Sequence, residues 1–247
     1  MSRRNAGDYR DIDGVLILDK PFQWSSNHAL QQVRRLFRAR KAGHCGSLDP
    51  LATGVLPICL GQATKFSAYL LDASKTYRAT CRLGQTTSTG DAEGDVIDSR
   101  PVTTDSDQIK RVLDRFVGQI EQIPPMYSAL KHQGKRLYQL AREGKQVERK
   151  PRQVEIYQLE LLSFGDCSLE IEVCCSKGTY IRTLAEDIGN MLGCGAHITA
   201  LRRNAVDALL EQDAVTMERL ETLAQQGVDS LDALLLPVTV ADRKSVV

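Results

Sequence analysis

The chain has 247 residues, of which 42% are hydrophobic, and its formal net charge at neutral pH is +1. This length and composition can bury a sizeable core, as one large domain or as one domain with a small appendage. No apolar run is long enough to cross a membrane. The seven cysteines include no C-x-x-C pair, which argues against a zinc site and a disulfide framework.

Strand and helix signals alternate along the first half of the chain. The apolar run 14–21, closed by Pro21, predicts a buried strand. Ser25 or Ser26 can cap the helix that follows, where apolar residues recur at helical spacing. After a loop rich in Gly and Pro, we expect in chain order a strand at 55–61, a helix at 63–73, a strand at 75–84 and a long polar loop at 85–108, with acids at 91, 93, 95 and 98.

The second half predicts an antiparallel arrangement. The expected elements are a helix at 107–117, a Pro-Pro break at 124–125, a turn at Gln133-Gly134 before a short basic helix, a hairpin of 154–164 and 167–176 around Gly165-Asp166, a helix ending at Gly193, a strand at 196–206 and a helix at 216–227. Because hairpins pair strands antiparallel, we expect the α+β class, with a mixed, largely antiparallel central sheet flanked by helices.

Charge is strongly segregated along the chain. Residues 20–48 carry six Lys and Arg and no acid, and residues 131–152 carry eight bases against two acids. Residues 205–232 carry seven acids and one arginine. Basic residues spread over the surface for solubility are the simpler interpretation, but the acid-free stretch favours a face that binds a polyanion.

Asp49 is the first acid after the basic stretch 20–48, and it lies in a Gly46–Pro50–Gly54 pattern. Proline fixes the backbone beside the carboxylate, and glycines allow close approach of a ligand. The alternative is a turn aspartate that bonds its own backbone. Motifs for dinucleotides, nucleotide phosphates and serine nucleophiles are missing from the sequence, and the four histidines are scattered. Asp49 is therefore the leading catalytic candidate.

Several long motifs resemble the TruB-type pseudouridine synthases, which isomerise uridine in the T loop of tRNA. They are GHCGSLDPLATGVLPICLGQATK, GVLILDKPFQWSSN, KTYRATCRLGQTTSTGD, PPMYSALKHQGKRLYQLAREG, CSKGTYIRTLAEDIG and GAHITALRR. The resemblance spans residues 12–206 in the family's order, and it is closest to the bacterial stand-alone type. It implies the pseudouridine synthase fold.

The resemblance also implies the site residues. Asp49 would be the nucleophile or base, Tyr77 would lie on the target base, and Arg182 would pair with the catalytic carboxylate. Substrate-binding roles fall on four more residues: Tyr180 and Leu201 in the uridine pocket, His44 in the space that the base leaves, and Lys20 near the site. Position 45 is Cys where the family often has Thr, and position 47 is Ser where Ala or Thr is common.

For the domains, we expect a catalytic domain at 10–240 with a basic inserted segment at 124–152. The family's small C-terminal RNA-binding, PUA-like domain is expected to be absent or truncated after residue 240. The N-terminus has no apolar signal-peptide core, and the cysteines fit reduced residues, so we expect a soluble, cytoplasmic protein.

The predicted function is isomerisation of the T-loop uridine of tRNA (position 55 in tRNA numbering), by base flipping and aspartate chemistry. No cofactor and no metal are expected, the partner is the T arm of tRNA, and the protein is expected to be a monomer. Two alternatives stay open: an RNA-binding chaperone that opens the T loop without chemistry, and a guide-dependent synthase that acts on ribosomal RNA.

Overall fold

The computed structural model describes residues 9–241. The strands are β1 (Gly14–Lys20), β2 (Ala42–His44), β3 (Ala52–Leu60), β4 (Lys75–Leu83), β5 (Gln85–Thr87), β6 (Val96–Ser99), β7 (Gly118–Gln122), β8 (Lys131–His132), β9 (Lys135–Arg136), β10 (Arg152–Gly165), β11 (Ser168–Cys175), β12 (Ala196–Val206) and β13 (Leu209–Leu210). The helices are α1 (Ser26–Leu36), α2 (Ser67–Asp72), α3 (Ser106–Leu113), α4 (Leu137–Arg142), α5 (Ile181–Met191), α6 (Met217–Gln226) and α7 (Val228–Asp232).

The chain forms two compact units. Unit 1 contains the residues up to Lys75 and those from Arg202 onward, and unit 2 contains Thr76–Leu201. The first eight residues, on which part of the signal-peptide prediction depends, lie outside the described range, as do residues 242–247 after the predicted domain end. No helix within residues 9–241 has the length and apolar character that a membrane crossing requires.

Unit 1 is organised around β3. β1 pairs with it antiparallel from Gly14↔Leu60 to Lys20↔Gly54, and β2 pairs antiparallel with its end, from Ala42↔Leu60 to His44↔Ile58. β1 and β3 are apolar almost throughout and buried on both faces, which explains their continuous hydrophobic runs. Val15, Val55 and Leu70 belong to the core that these strands share with the segment around Val206.

Unit 2 contains a three-stranded antiparallel arrangement in which β10 lies between β11 and β7. Alternation along β11 buries every second side chain, as a sheet with one covered face requires. Helix α5 buries Leu184, Ala185 and Ile188. Unit 2 also contains two small hairpins, β5–β6 and β8–β9, together with β4 from Thr76 and β12 up to Leu201.

These pairings confirm the predicted α+β class with a largely antiparallel sheet. Ser25 is the N-cap of α1, and its side chain accepts a hydrogen bond from the His28 backbone N–H. The predicted hairpin turn after β10 is confirmed, although it lies at Asp166-Cys167, one residue later than expected. At the predicted turn of the β8–β9 hairpin, Gln133 and Gly134 both have positive φ.

Three predicted elements were wrong in detail. The helix expected at 63–73 is a 3-10 turn at 61–65 followed by the short α2. The polar loop expected at 85–108 contains the β5–β6 hairpin, with a register shift at Thr86 and Thr87. The helix expected at 107–117 is α3, which ends at Leu113 and continues as a 3-10 turn at 114–116 before β7 begins at Gly118.

Candidate active site

Asp49 lies in the loop that joins β2 to β3, and it is half-buried. Neighbouring backbone groups of this loop are held by side chains from other parts of unit 1. The hydroxyl of the buried Ser26 contacts both backbone groups of Leu48, accepting from its N–H at 2.7 Å and donating to its carbonyl at 3.0 Å. On the other side, the Gln23 N–H donates to the Pro50 carbonyl at 2.8 Å. The backbone on both sides of Asp49 is therefore fixed.

The two glycines of the Asp49 motif are required by the backbone. Gly46 has φ of 93° and Gly54 has φ of 98°, a region that other residues rarely adopt. A Cβ on Gly54 would lie only 2.3 Å from the Arg203 carbonyl oxygen. The nearly fully buried Arg203 also donates from Nη2 to the Gly46 carbonyl at 3.1 Å and from Nε to the Val55 carbonyl at 2.7 Å. Arg203 thus holds both ends of the loop.

Lys20 is fully buried at the end of β1. Its ammonium donates to the carbonyls of Pro21 at 2.8 Å, Trp24 at 2.6 Å and Pro50 at 3.4 Å. A buried ammonium needs such acceptors to offset its desolvation. These contacts support the backbone next to Asp49, whereas the predicted contact of Lys20 with substrate stays a prediction. His44, which ends β2 and precedes the loop, is half-buried.

Unit 2 contains Tyr77, Tyr180, Arg182 and Leu201. Tyr77 lies near the start of β4 and is half-buried, and Leu201 is buried in β12. Tyr180 is the residue before α5, and the side chain of the buried Gln122 bonds both of its backbone groups, at 2.9 and 3.3 Å. This clamp orients the start of α5.

Arg182 lies in the first turn of α5 and is 6% exposed. Its guanidinium donates to the carbonyls of Thr89 at 3.0 Å and Tyr127 at 2.6 Å, and it forms an ion pair with Asp91 at 3.6 Å. The hydroxyl of Thr89 and the N–H of Glu93 donate in turn to Asp91 Oδ1, at 2.5 and 3.1 Å. The guanidinium is thus held in one orientation.

Asp91, which pairs with the Arg182 guanidinium, is not among the candidate residues predicted from the sequence, where it falls among the acids of a polar loop. The available signal was its position inside a matched motif, GQTTSTGD, where Gly90 and Asp91 close the run. Residues 89–95 form a tight turn around this carboxylate. The predicted pairing of Arg182 with Asp49 stays a prediction.

Glu186 places a second carboxyl group beside this ion pair. Gly90, the residue before Asp91, lies against both side chains: a Cβ at this glycine would be 2.9 Å from Glu186 Oε1 and 3.5 Å from Arg182 Cβ. Burial raises the pKa of Glu186 above its ordinary value of 4.5, and repulsion from Asp187 adds to the rise, while attraction to Arg182 opposes it. The ionised form of Glu186 is therefore disfavoured in the folded protein.

A basic cavity of about 340 Å³ lies in the segment that the sequence analysis marked at 124–152. It is lined by Pro124, Leu130, Lys131, His132, Leu137, Glu148, Arg149, Lys150 and Arg152. Four of these side chains are Lys or Arg and one is an acid, which suits a phosphate-bearing ligand. Arg149 also donates to the Pro124 carbonyl at 2.9 Å and so ties the two ends of the segment together.

Comparison with known proteins finds the same family that the sequence motifs resemble. The model of the TruB family pseudouridylate synthase N-terminal domain matches residues 34–181, and that of the tRNA pseudouridylate synthase B C-terminal domain matches residues 182–241. A tRNA pseudouridine synthase B of Nitrosococcus oceani is 56% identical over 96% of this chain and 78% of its own length. One of Chromohalobacter salexigens is 59% identical, with 96% and 76% covered.

Among solved structures, a chain of a Cbf5-Nop10-Gar1 complex matches with a TM-score of 0.73 and 30% identity. The match covers 92% of this chain and 61% of the Cbf5-Nop10-Gar1 chain. The family model of the N-terminal domain covers more than half of the sequence, and the two relatives match nearly all of it. The chain therefore belongs to the TruB family of pseudouridylate synthases.

Proposed function

We propose that this protein isomerises uridine to pseudouridine in tRNA, at the T-loop uridine in position 55. The observation that carries the proposal is the pinned Asp49 loop, in a chain whose relatives named tRNA pseudouridine synthase B are 52–59% identical to it. The reaction breaks the glycosidic N–C bond, rotates the base and rejoins it through carbon. It involves no net redox change and therefore requires no redox cofactor.

Asp49 performs the chemistry in this proposal, either as a covalent nucleophile or as a base. Both roles require the ionised carboxylate. A rigid backbone around Asp49 keeps it in place without an ordering cost during the reaction. Arg182 stabilises the ionised carboxylate, because a nearby guanidinium favours negative charge. Asp91 orients Arg182 for this role.

Unstacking the target base costs a few kcal/mol, and the proposed pocket must offset that cost. An aromatic ring stacked on a base contributes about 1–3 kcal/mol, and Tyr77 supplies this ring. Tyr180 and Leu201 form the pocket wall, His44 fills the space left in the T loop, and Lys20 holds the loop backbone near the site. The basic segment 124–152 holds phosphates and sets position rather than sequence.

The catalytic domain at 10–240 is proposed to act as a cytoplasmic monomer on the T arm. Seven free cysteines support a reducing compartment. The guide-dependent alternative is weaker, because the relatives named tRNA pseudouridine synthase B are 52–59% identical to this chain, whereas chains of the Cbf5-Nop10-Gar1 complex and of the archaeal box H/ACA sRNP Nop10-Cbf5 complex are 30% and 28% identical. An isolated T-arm stem-loop separates the two: turnover without a guide RNA supports the tRNA enzyme, and an absolute need for a guide RNA contradicts it.

The decisive experiment replaces Asp49 with Asn and follows tritium release from tRNA labelled at uridine C5. We expect turnover to fall by at least about 10⁴-fold, because an amide can be neither the nucleophile nor the base. Asp107→Asn, an exposed acid in the first turn of α3, is the matched control and should keep normal turnover. Retained activity in Asp49→Asn would refute the catalytic role of Asp49. If the unmodified protein forms no pseudouridine, that result would favour the chaperone alternative.

A further inference from the structure

Cys45 and Cys59 lie side by side in the core of unit 1, at the start of the Asp49 loop and near the end of β3. Both are fully buried, and their sulfur atoms are 3.4 Å apart. Cys59 is opposite Gly43 in the β2–β3 register. Two residues after Gly43, the Cys45 N–H donates to the carbonyl of Pro57, which lies two residues before Cys59 in β3. The two thiols are therefore diagonal neighbours on one face. Gly43 has no side chain to separate them.

The surroundings make this pair unlike ordinary buried cysteines. The two thiols share a hydrogen bond in which either sulfur can donate, and this interaction lowers the pKa of Cys59, although burial opposes the change. The same interaction and burial raise the pKa of Cys45, while Lys75 and Arg203 act in the opposite direction. Because the thiolate is the nucleophilic form of cysteine, the member with the lowered pKa, Cys59, is the attacking thiol of the pair.

We propose that Cys45 and Cys59 form a dithiol that peroxide closes to a disulfide, and that this closure suppresses the activity of the Asp49 loop. The Cys59 thiolate attacks one oxygen of hydrogen peroxide, the O–O bond breaks, and a sulfenic acid and hydroxide form. Cys45 then displaces the hydroxyl group from that sulfur, its proton leaving with the oxygen as water. In total, two thiols and one peroxide give one disulfide and two waters.

Closure must move the Asp49 loop. The sulfur atoms have to approach from 3.4 Å to about 2.05 Å, and diagonal neighbours in a sheet have more widely separated backbones than most disulfides allow. The Cys45 backbone must therefore shift toward β3. Gly46, the next residue, is held by Arg203, so the shift strains the contacts that place Asp49. A displacement of about 1 Å at a catalytic group can cost about a hundredfold in rate.

The first test treats the reduced protein with hydrogen peroxide, alkylates the remaining thiols, cleaves the chain before Asp49 with an Asp-specific protease so that Cys45 and Cys59 lie on different peptides, and maps the peptides without reduction. We expect a linked peptide pair that contains Cys45 and Cys59. In parallel, tritium release should fall by about tenfold to a hundredfold and recover with dithiothreitol. A missing linked peptide overturns the proposal, as does a linked peptide with unchanged turnover.

The variants Cys45→Thr and Cys174→Ser provide the matched comparison, each measured against its own untreated sample. Cys45→Thr should resist peroxide, whereas Cys174→Ser, which changes a half-buried thiol in unit 2, should lose activity as the unmodified protein does. Equal inactivation of Cys45→Thr overturns the proposal. If that variant does not fold, Cys59→Ala replaces it. The turnover measurement relies on the proposed function, whereas the peptide map does not. Failure of the proposed function and failure of the disulfide proposal can therefore be told apart.

Discussion

Arg182 and Asp91 form a buried ion pair in unit 2, with both side chains more than nine-tenths buried. Such a pair is costly to break, because removing one partner leaves the other charge buried and unpaired. The carbonyls of Thr89 and Tyr127 compensate part of the charge on Arg182. Asp91 therefore matters for stability as well as for the orientation of the guanidinium.

Asp91→Asn should destabilise the protein by about 3 kcal/mol and should also lower kcat, because Arg182 loses the charge that orients it. Urea unfolding and tritium release measure the two effects. Asp98→Asn, which breaks the exposed ion pair with Arg100, is the control and should change stability by less than about 1 kcal/mol. Equal stability of the Asp91 and Asp98 variants would contradict the assigned role of the buried pair.

The raised pKa of Glu186 predicts that the stability of the folded protein depends on pH. Its folded pKa is raised, so the folded protein binds more protons than the unfolded chain between pH 4.5 and the raised value. The stability associated with protonated Glu186 is fully present below pH 4.5 and is lost as pH rises through the folded pKa. Glu186→Gln should therefore be more stable than the unmodified protein at pH 7, and the difference should vanish below pH 4.5.

Unfolding by urea at several pH values checks this prediction. Asp229→Asn, which alters an exposed acid in the short helix α7, should leave the pH profile unchanged. A Glu186→Gln variant that is less stable at pH 7 would show that attraction to Arg182 outweighs burial.

Helix α1 begins with two adjacent serines that have different roles, and one of them couples the helix to the Asp49 loop. Ser25 caps the helix, whereas Ser26 is buried and bonds both backbone groups of Leu48. The first interaction stabilises a helix end. The second holds the Asp49 loop onto the helix.

Ser26→Ala should cost about 1–3 kcal/mol, because two backbone groups of Leu48 lose their partner, and it should also reduce kcat. Ser25→Ala should cost about 1 kcal/mol of stability with kcat unchanged. Urea unfolding and tritium release on both variants test the contrast. A normal kcat in Ser26→Ala would show that the loop keeps its shape without this contact.

Also at the scale of elements, hydrophobic periodicity and cap residues predicted most helices and strands, because both act over a few neighbours. β1, the α1 cap and the β10–β11 hairpin are examples. The β5–β6 hairpin was not predicted, because Gly, Thr, Ser and Asp residues obscure the alternation of apolar and polar residues along its strands. The helix at 63–73 was overestimated, since one apolar pattern covers both a 3-10 turn and α2.

Over the whole molecule, charge is the property most relevant to RNA. The net charge of +1 hides a basic cavity in segment 124–152 and an acidic stretch near the C-terminus. Phosphate contacts release counterions, so their number appears in the salt dependence of binding. The segregation of charge, rather than its sum, determines where a polyanion binds.

Replacing Lys131 and Lys150 together with Ala should raise KM for tRNA and leave kcat unchanged. The reason is that phosphate contacts bind the ground state and the transition state equally, so their loss weakens binding without slowing the chemical step. Each lysine that contacts a phosphate should lower the slope of log K against log salt by about 1. Filter binding and steady-state kinetics at several salt concentrations test this. Lys110→Ala, an exposed lysine of α3, should leave the slope unchanged, and an unchanged slope in the double variant would exclude the cavity as a phosphate site.

The fold class, the family and the order of most elements could be predicted from the amino acids alone, since these depend on continuous motifs and local periodicity. Side-chain partnerships were decided only by the tertiary structure. Arg182 bonds Thr89 across 93 positions, Ser26 bonds Leu48 across 22, and Cys45 faces Cys59 across 14. No local pattern encodes such pairs, because they arise where backbone segments meet after folding and where burial makes an unpaired polar group too costly.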